Sequence, residues 1–71
     1  MNPVSPTKLL HSKWTAVRPL NKEKHFTVTE VEYNEADAVV HCVLEAIHSN
    51  NEYVIDWREL KKADNWRQGW K

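Results

Sequence analysis

A single cysteine, Cys42, in a chain of 71 residues is the feature that most restricts how this sequence can fold. Domains this short bury only roughly 60% of the surface that the unfolded chain exposes, and many of them need a disulfide or a metal ion for stability. One cysteine forms no internal disulfide and supplies too few thiolates for a metal cluster. Stability must therefore come from apolar packing, from self-association or from both.

Aromatic side chains are the material available for a compact core. The sequence holds four tryptophans, two tyrosines and one phenylalanine, and each can bury roughly 150 to 250 Å² of surface. No apolar run approaches the roughly 18 residues of a membrane span, and no signal peptide is evident. We therefore expect one small cytoplasmic domain that does not bind membranes.

The pattern of residue types predicts a mostly β fold. Residues 1–8 contain two prolines and form an extended N-terminal arm, and residues 9–71 form a single small β domain with a tryptophan-rich C-terminal tail. We predict a strongly bent, four-stranded antiparallel meander that resembles an SH3-like or Tudor-like partial barrel and ends in a short C-terminal helix or 3₁₀ turn. The predicted strands are Trp14–Val17, ended by Pro19, then Phe26–Tyr33, Ala38–His48 and residues 53–57.

Two local features refine this prediction. The apolar phase slips within Phe26–Tyr33, which indicates a β-bulge near Thr29 and Glu30, and Asn34–Asp37 has the composition of a turn. A helix over Ala36–Ile47 is the alternative to the third strand.

Asn50-Asn51 predicts a two-residue type I′ hairpin, because asparagine tolerates the positive φ that this turn requires at both positions. Ala46 would then face Ile55, and Leu44 would face Trp57. One face of the hairpin collects Val40, Cys42, Leu44, Ala46, Tyr53, Ile55 and Trp57. After it, the spacing of Asp56 and Glu59 matches a capping box and predicts a short helix over Trp57–Ala63.

Charge changes sign along the chain. Residues 1–25 carry +4, residues 26–56 carry −7 and residues 57–71 carry +3. Either the two ends lie across the acidic middle and neutralise it, or they form a basic face open to a polyanion.

Several chemistries are excluded by residue spacing. The histidines and Cys42 lack paired metal-ligand spacings, and His41 and Cys42 point to opposite faces of a strand. Gly69 is the only glycine, so a phosphate-cradling loop cannot form. We expect no enzyme, no metal and no cofactor.

Each tryptophan has a basic neighbour, in Lys13-Trp14, Trp57-Arg58, Trp66-Arg67 and Trp70-Lys71. This pairing suits stacking of bases with phosphate contacts, although tryptophans that pack in the core and anchor the tail explain it as well. The candidate binding residues are Trp14, Arg18, Lys22, Lys24, Arg58, Trp66, Arg67 and Trp70.

The sequence resembles a family of small tryptophan-rich bacterial proteins of unknown function. The likeness rests on Asn2-Pro3-x-Ser5-Pro6-x-Lys8-Leu9-Leu10-x-Ser12-Lys13-Trp14-Thr15, Asn21-Lys22-Glu23-Lys24-His25-Phe26, Val43-Leu44-Glu45-Ala46, Trp57-Arg58-Glu59-Leu60 and Trp66-Arg67-Gln68-Gly69-Trp70. It implies a compact bacterial domain and assigns no catalytic residue.

The leading functional hypothesis is a non-catalytic interaction module that binds a protein partner, or a second copy, through an aromatic surface of the tail and the first strand. It requires at least two exposed tryptophans. The alternative is binding of single-stranded RNA or DNA through the basic and tryptophan residues of the two chain ends.

Overall fold

A five-stranded antiparallel sheet forms most of the protein in a computed structural model, which describes residues 2–20 and 22–70. The strands are β1 (Lys13–Leu20), β2 (Glu23–Tyr33), β3 (Val39–Ala46), β4 (Glu52–Val54) and β5 (Trp66–Gln68). Two 3₁₀ helices, η1 (Pro6–Lys8) and η2 (Trp57–Lys61), precede β1 and connect β4 to β5. Within the described residues, no helix has the length and apolar character needed to cross a bilayer.

The strand order is β4-β3-β2-β1-β5. The antiparallel meander is confirmed for β1 to β4, which are neighbours in chain order, but the count of four strands is wrong. The tail adds β5, which pairs with β1 through Ala16 and Trp66. β4 and β5 are the two outer strands and do not pair with each other, so the sheet is not closed into a barrel.

Pro19 does not end the first strand as predicted. β1 continues to Leu20, and its register with β2 is irregular between Thr15 and Leu20. Proline lacks the N–H of a regular ladder and is tolerated at such an irregularity.

The predicted bulge in β2 is confirmed. The register with β3 shifts between Val28 and Glu30. The extra residue changes the phase of the strand, so Val28 and Val31 both contact the core although three positions separate them.

The turn after β2 is also confirmed. The Asn34 side-chain oxygen accepts the backbone N–H groups of Ala36 and Ala38 at 2.9 and 3.0 Å, and Asp37 has a φ of 60°. The helical alternative for residues 36–47 is wrong, because β3 occupies most of that segment.

The predicted hairpin register is wrong. Leu44 pairs with Tyr53 rather than Trp57, and of the two asparagines only Asn50 has a positive φ, at 62°. The Asn50 N–H donates to the carbonyl of Ala46 at 2.8 Å, which makes the loop longer than two residues. Because the pairing is offset by an even number of residues, the predicted inner face is largely kept. Val40 is an exception, at 60% exposed.

η2 lies in the connection between β4 and β5 and covers one side of the core. The Asp56 carboxylate accepts the N–H of Arg58 at 3.0 Å, whereas the Glu59 carboxylate accepts from Lys62 rather than completing a capping box. The helix ends at Lys61, two residues before the predicted end. Its one buried residue, Leu60, joins a core cluster of Leu9, Trp14, Phe26, Val28, Cys42, Leu44, Ala46 and Leu60.

Candidate functional site

A cleft of about 500 Å³ lies between the two outer strands of the sheet. Its walls combine β1 and the start of β5 on one side with β4 on the other, over residues of β2 and β3. This volume is within the range of roughly 300 to 1,000 Å³ found for binding pockets. The lining residues are Ala16, Arg18, Glu23, Phe26, Leu44, Tyr53, Val54, Ile55, Asn65 and Trp66.

Aromatic rings connect the two walls of this cleft. The Phe26 ring meets Trp66 edge-on, with centroids 5.2 Å apart and an interplanar angle of 84°. On the other side it meets Tyr53 at 6.3 Å and 62°. Edge-to-face pairs of this kind add to the energy of burial, so the floor of the cleft is a packed apolar surface.

Glu23 is the buried carboxylate of the cleft. Only 4% of its surface is exposed, and it accepts hydrogen bonds from the hydroxyls of Ser49 and Tyr53 and, at 3.0 Å, from Asn51 Nδ2. All three donors belong to the β3–β4 hairpin and its loop, so this carboxylate joins the start of β2 to that hairpin.

The same hydrogen bonds set the protonation state of Glu23. Donation from Ser49 and then Tyr53 holds the pKa of Glu23 below its usual value, against the opposing effect of burial. The pKa of Tyr53 is raised by its bond to the carboxylate. With both carboxylate oxygens occupied, Glu23 serves as a structural anchor and is poorly suited to act as a general base.

The thiol of Cys42 is also poorly suited to act as a nucleophile. Cys42 is fully buried, and burial followed by the charge of Asp56 raises its pKa. The nucleophilic form of cysteine is the thiolate, which a raised pKa disfavours. Among the described residues, no three His, Cys, Asp or Glu side chains are grouped so that they could hold a metal ion.

A second feature is a basic face on the side of the sheet opposite the cleft. Thr15 pairs with His25 of β2 and with Arg67 of β5, which brings the three strands together there. Lys24 and Arg67 line a shallow groove of about 330 Å³ along β1.

Trp70 lies across this face. Its Nε1 donates to the carbonyl of Phe26 at 3.0 Å, and its ring is 6.1 Å from that of His25. The Lys13 ammonium sits 4.8 Å from the indole centroid, a favourable cation–π distance. The side chain remains 45% exposed, and Trp70 is the one exposed tryptophan. Trp14 is buried and Trp57 and Trp66 are partly buried, so the expected minimum of two exposed tryptophans is not met.

The eight predicted binding residues therefore divide among several places. Lys24, Arg67 and Trp70 share the basic face, whereas Arg18 and Trp66 line the cleft. Lys22 stands in the β1–β2 turn with a φ of 63°. Trp14 is buried, at 1% exposed, and Arg58 is paired with Asp56 at 3.0 Å. Lys71 lies outside the described residues.

Ion pairs do little to join the oppositely charged segments. Those in the described part of the chain link Glu30 with His41, Asp56 with Arg58 and Glu59 with Lys62. Only the Asp56–Arg58 pair joins the acidic middle to a basic segment, and its partners are two residues apart. Neutralisation of the middle by direct contact with the ends is therefore not seen among these residues.

Comparison with known proteins gives the family. A family model described as tryptophan-rich protein (DUF2389) matches residues 12–71. The chain belongs to this family. The match confirms the resemblance to a tryptophan-rich family of unknown function, and it spans all five strands and η2 of the DUF2389 chain. No curated protein matches the chain, and no solved structure does.

Glu23 and Val54, two residues that line the cleft in this DUF2389 member, were not among the predicted binding residues. Glu23 stands in a polar, charged stretch that predicts an exposed connection, and its three donors lie at least 26 residues away in the chain, in the β3–β4 loop and β4. Val54, an exposed residue of β4 that lines the cleft, carries no distinguishing pattern either. Only the strand pairing brings these residues to one place.

Proposed function

We propose that this protein is a non-catalytic protein-interaction module that binds apolar side chains of a partner in the cleft between β4 and β1–β5. The observation that carries the proposal is an open, preformed apolar cleft walled by Phe26, Tyr53 and Trp66. Aromatic residues are enriched among those that dominate binding energy at interfaces. The β4 side of the cleft is accessible, since Tyr53 is 38% exposed.

The chemistry of the cleft supports binding over catalysis. A hydrolytic or proton-transfer site needs an acid or base whose pKa is tuned toward neutrality and whose reactive atom is accessible. The pKa of Glu23 is shifted away from neutrality, and its carboxylate oxygens accept hydrogen bonds from three donors. The aromatic lining of the cleft is thus suited to recognition of a partner rather than to catalysis.

The proposal can be tested by selecting displayed peptides on the immobilised protein and measuring the affinity of the selected peptides for two variants. Ala16→Met extends a side chain into the cleft and should weaken their binding by about tenfold or more. Val17→Met is the matched control, because this exposed neighbour lies outside the cleft lining. Selected peptides that bind both variants equally would contradict the proposal, and so would a selection that yields none.

Nucleic-acid binding is a second candidate, favoured by the basic face. Lys13, Lys24, Arg67 and the exposed ring of Trp70 share that face, where indole stacking and phosphate contacts would act together. Mixed-sequence single-stranded RNA should then quench Trp70 fluorescence, and the affinity should fall with salt. Arg67→Glu should remove binding, whereas Lys62→Glu, which alters a cation already paired with Glu59, should not.

The compartment in this proposal is the bacterial cytosol. Its support is the lone thiol of Cys42, which suits a reducing environment.

A further inference from the structure

The two outer strands of the sheet differ in whether their free edges are covered. The N-terminal arm lies along β5, where Asn2 Nδ2 donates to the carbonyl of Trp66 at 2.6 Å. The side chain of Gln68 donates to the carbonyl of Pro3 at 2.5 Å. The Asn2 amide also holds the arm to η2 through the carbonyl of Leu60 at 2.9 Å. The outward N–H and C=O groups of Trp66 therefore bond within the chain, to the carbonyl of Lys62 and to Asn2.

Among residues 2–20 and 22–70, nothing covers the β4 edge in a comparable way. The hydrogen bonds that flank the strand run from the Ala46 N–H to the Asn51 carbonyl and from the Ile55 N–H to the Cys42 carbonyl. Antiparallel pairs alternate between residues that bond across and residues whose groups point away. In this register, Tyr53 bonds across to β3, and Glu52 and Val54 direct their N–H and C=O groups outward.

The outward groups of β4 are open to a partner. Neither Glu52 nor Val54 forms a backbone hydrogen bond with another segment of residues 2–20 and 22–70 outside the sheet ladder. Both side chains are exposed. Unpaired strand edges of this kind bind extended peptides as additional strands.

The cleft lies beside this edge, since Tyr53, Val54 and Ile55 belong to its lining. Successive side chains of a strand point to opposite faces of a sheet. A peptide paired with β4 would therefore place every second side chain over the cleft, next to Phe26 and Trp66, and the others on the opposite face. Apolar residues suit the first set.

The charges of β3 and β4 indicate which peptide side chains suit the face opposite the cleft. On the face opposite the cleft, Glu45 of β3 is directly opposite Glu52 of β4. Like charges at such positions are destabilising, and neither carboxylate is in an ion pair with any described residue. Basic side chains would relieve this repulsion, whereas a second copy of the chain would bring another Glu52 to the same place.

We propose that the β4 edge binds, by strand addition, an extended segment of a partner protein in which apolar residues alternate with lysine or arginine. The inference rests on the proposed function and names the partner's chemistry and its mode of binding. Backbone groups of Glu52 and Val54 supply the pairing, the cleft takes the apolar side chains, and Glu45 and Glu52 take the basic ones.

The test uses a short fluorescent peptide of alternating valine and lysine, with affinity measured by anisotropy. Two further peptides carry N-methyl groups, on the valines in one and on the lysines in the other, so that each lacks donors along one edge only. We expect one of the two to lose at least about tenfold in affinity and the other to bind nearly as the parent does. Replacing the lysines by glutamate should reduce binding by a similar factor.

Protein variants provide the matching evidence. Val54→Pro removes an N–H that makes no bond to β3, so the fold should survive, while peptide affinity should fall by about tenfold. Val54→Thr keeps the N–H and is the control. Protection of the Val54 amide from hydrogen exchange on peptide addition would support pairing directly.

Different results would overturn strand addition, the partner chemistry and the identity of the occupant. Suppose that both N-methylated peptides bind the protein like the parent peptide, and that only the protein variant Ala16→Met weakens peptide binding. The proposed cleft function then stands, and strand addition is wrong. If the valine–lysine peptide fails to bind, or the glutamate peptide binds equally well, the predicted partner chemistry is wrong. If sedimentation shows a dimer that Val54→Pro dissociates, the occupant of the edge is a second copy.

Discussion

Two adjacent leucines allow a direct test of where the core lies. Leu9 is fully buried at the end of η1, whereas its neighbour Leu10 is 48% exposed. Substitution of either by alanine removes the same three carbon atoms, so the difference between the two variants measures burial alone. We expect Leu9→Ala to be strongly destabilising and Leu10→Ala to be mild.

The magnitude follows from the burial. Three carbon atoms at about 0.8 kcal/mol each give roughly 2.4 kcal/mol for the lost transfer free energy at Leu9, and the residual cavity raises this to about 3 kcal/mol. At Leu10, where half of the side chain already meets water, roughly 1 kcal/mol is the upper limit. In a domain of this size, 1 kcal/mol lowers Tm by roughly 4–8 °C.

Thermal and urea unfolding followed by tryptophan fluorescence would measure both variants. Leu9→Ala should lower Tm by about 12 °C or more, and Leu10→Ala by less than about 8 °C. If Leu9→Ala lacks a folded baseline, trimethylamine N-oxide should restore one. Equal losses for the two variants would refute the argument, since they would mean that the two leucines share the same environment.

Two further predictions concern titratable groups. Because the folded pKa of Glu23 lies below the unfolded value of about 4.3, its charged form stabilises the fold fully above that pH, and this contribution disappears as pH falls through the folded pKa. Tm should therefore fall less between about pH 6 and pH 3 in Glu23→Gln than in the wild type. Identical profiles for the two proteins would contradict the role given to Glu23. Cys42, buried and with a raised pKa, should react with a thiol reagent only after unfolding, and rapid labelling of the native protein would show that the strand opens locally.

Local patterns predicted the features that depend on neighbouring residues. The phase slip in β2 indicated the bulge between Val28 and Glu30, and Asn34 indicated the turn that its own side chain stabilises. The alternation in β3 correctly placed Cys42 and Leu44 on the buried face. In each case the relevant contacts lie within a few residues or follow from strand periodicity.

The hairpin register depended on a distant residue. Asparagine preference predicted a two-residue turn, but the observed register presents Ser49, Asn51 and Tyr53 to the Glu23 carboxylate. Those hydrogen bonds join positions at least 26 residues apart, so no local window contains them. The offset is even, which explains why most of the inner face, apart from Val40, was predicted correctly even though the pairing was wrong.

The sequence by itself determined that this chain has no internal disulfide, places aromatic residues in its core and folds mainly as antiparallel strands. Tertiary structure decided that the tail becomes β5, because three residues without a strand pattern of their own gain hydrogen bonds on the free edge of β1. It also decided where the cleft lies. A cleft between two outer strands exists only once the sheet has curved, and curvature depends on contacts such as that of Phe26 with Trp66, which are far apart in the chain.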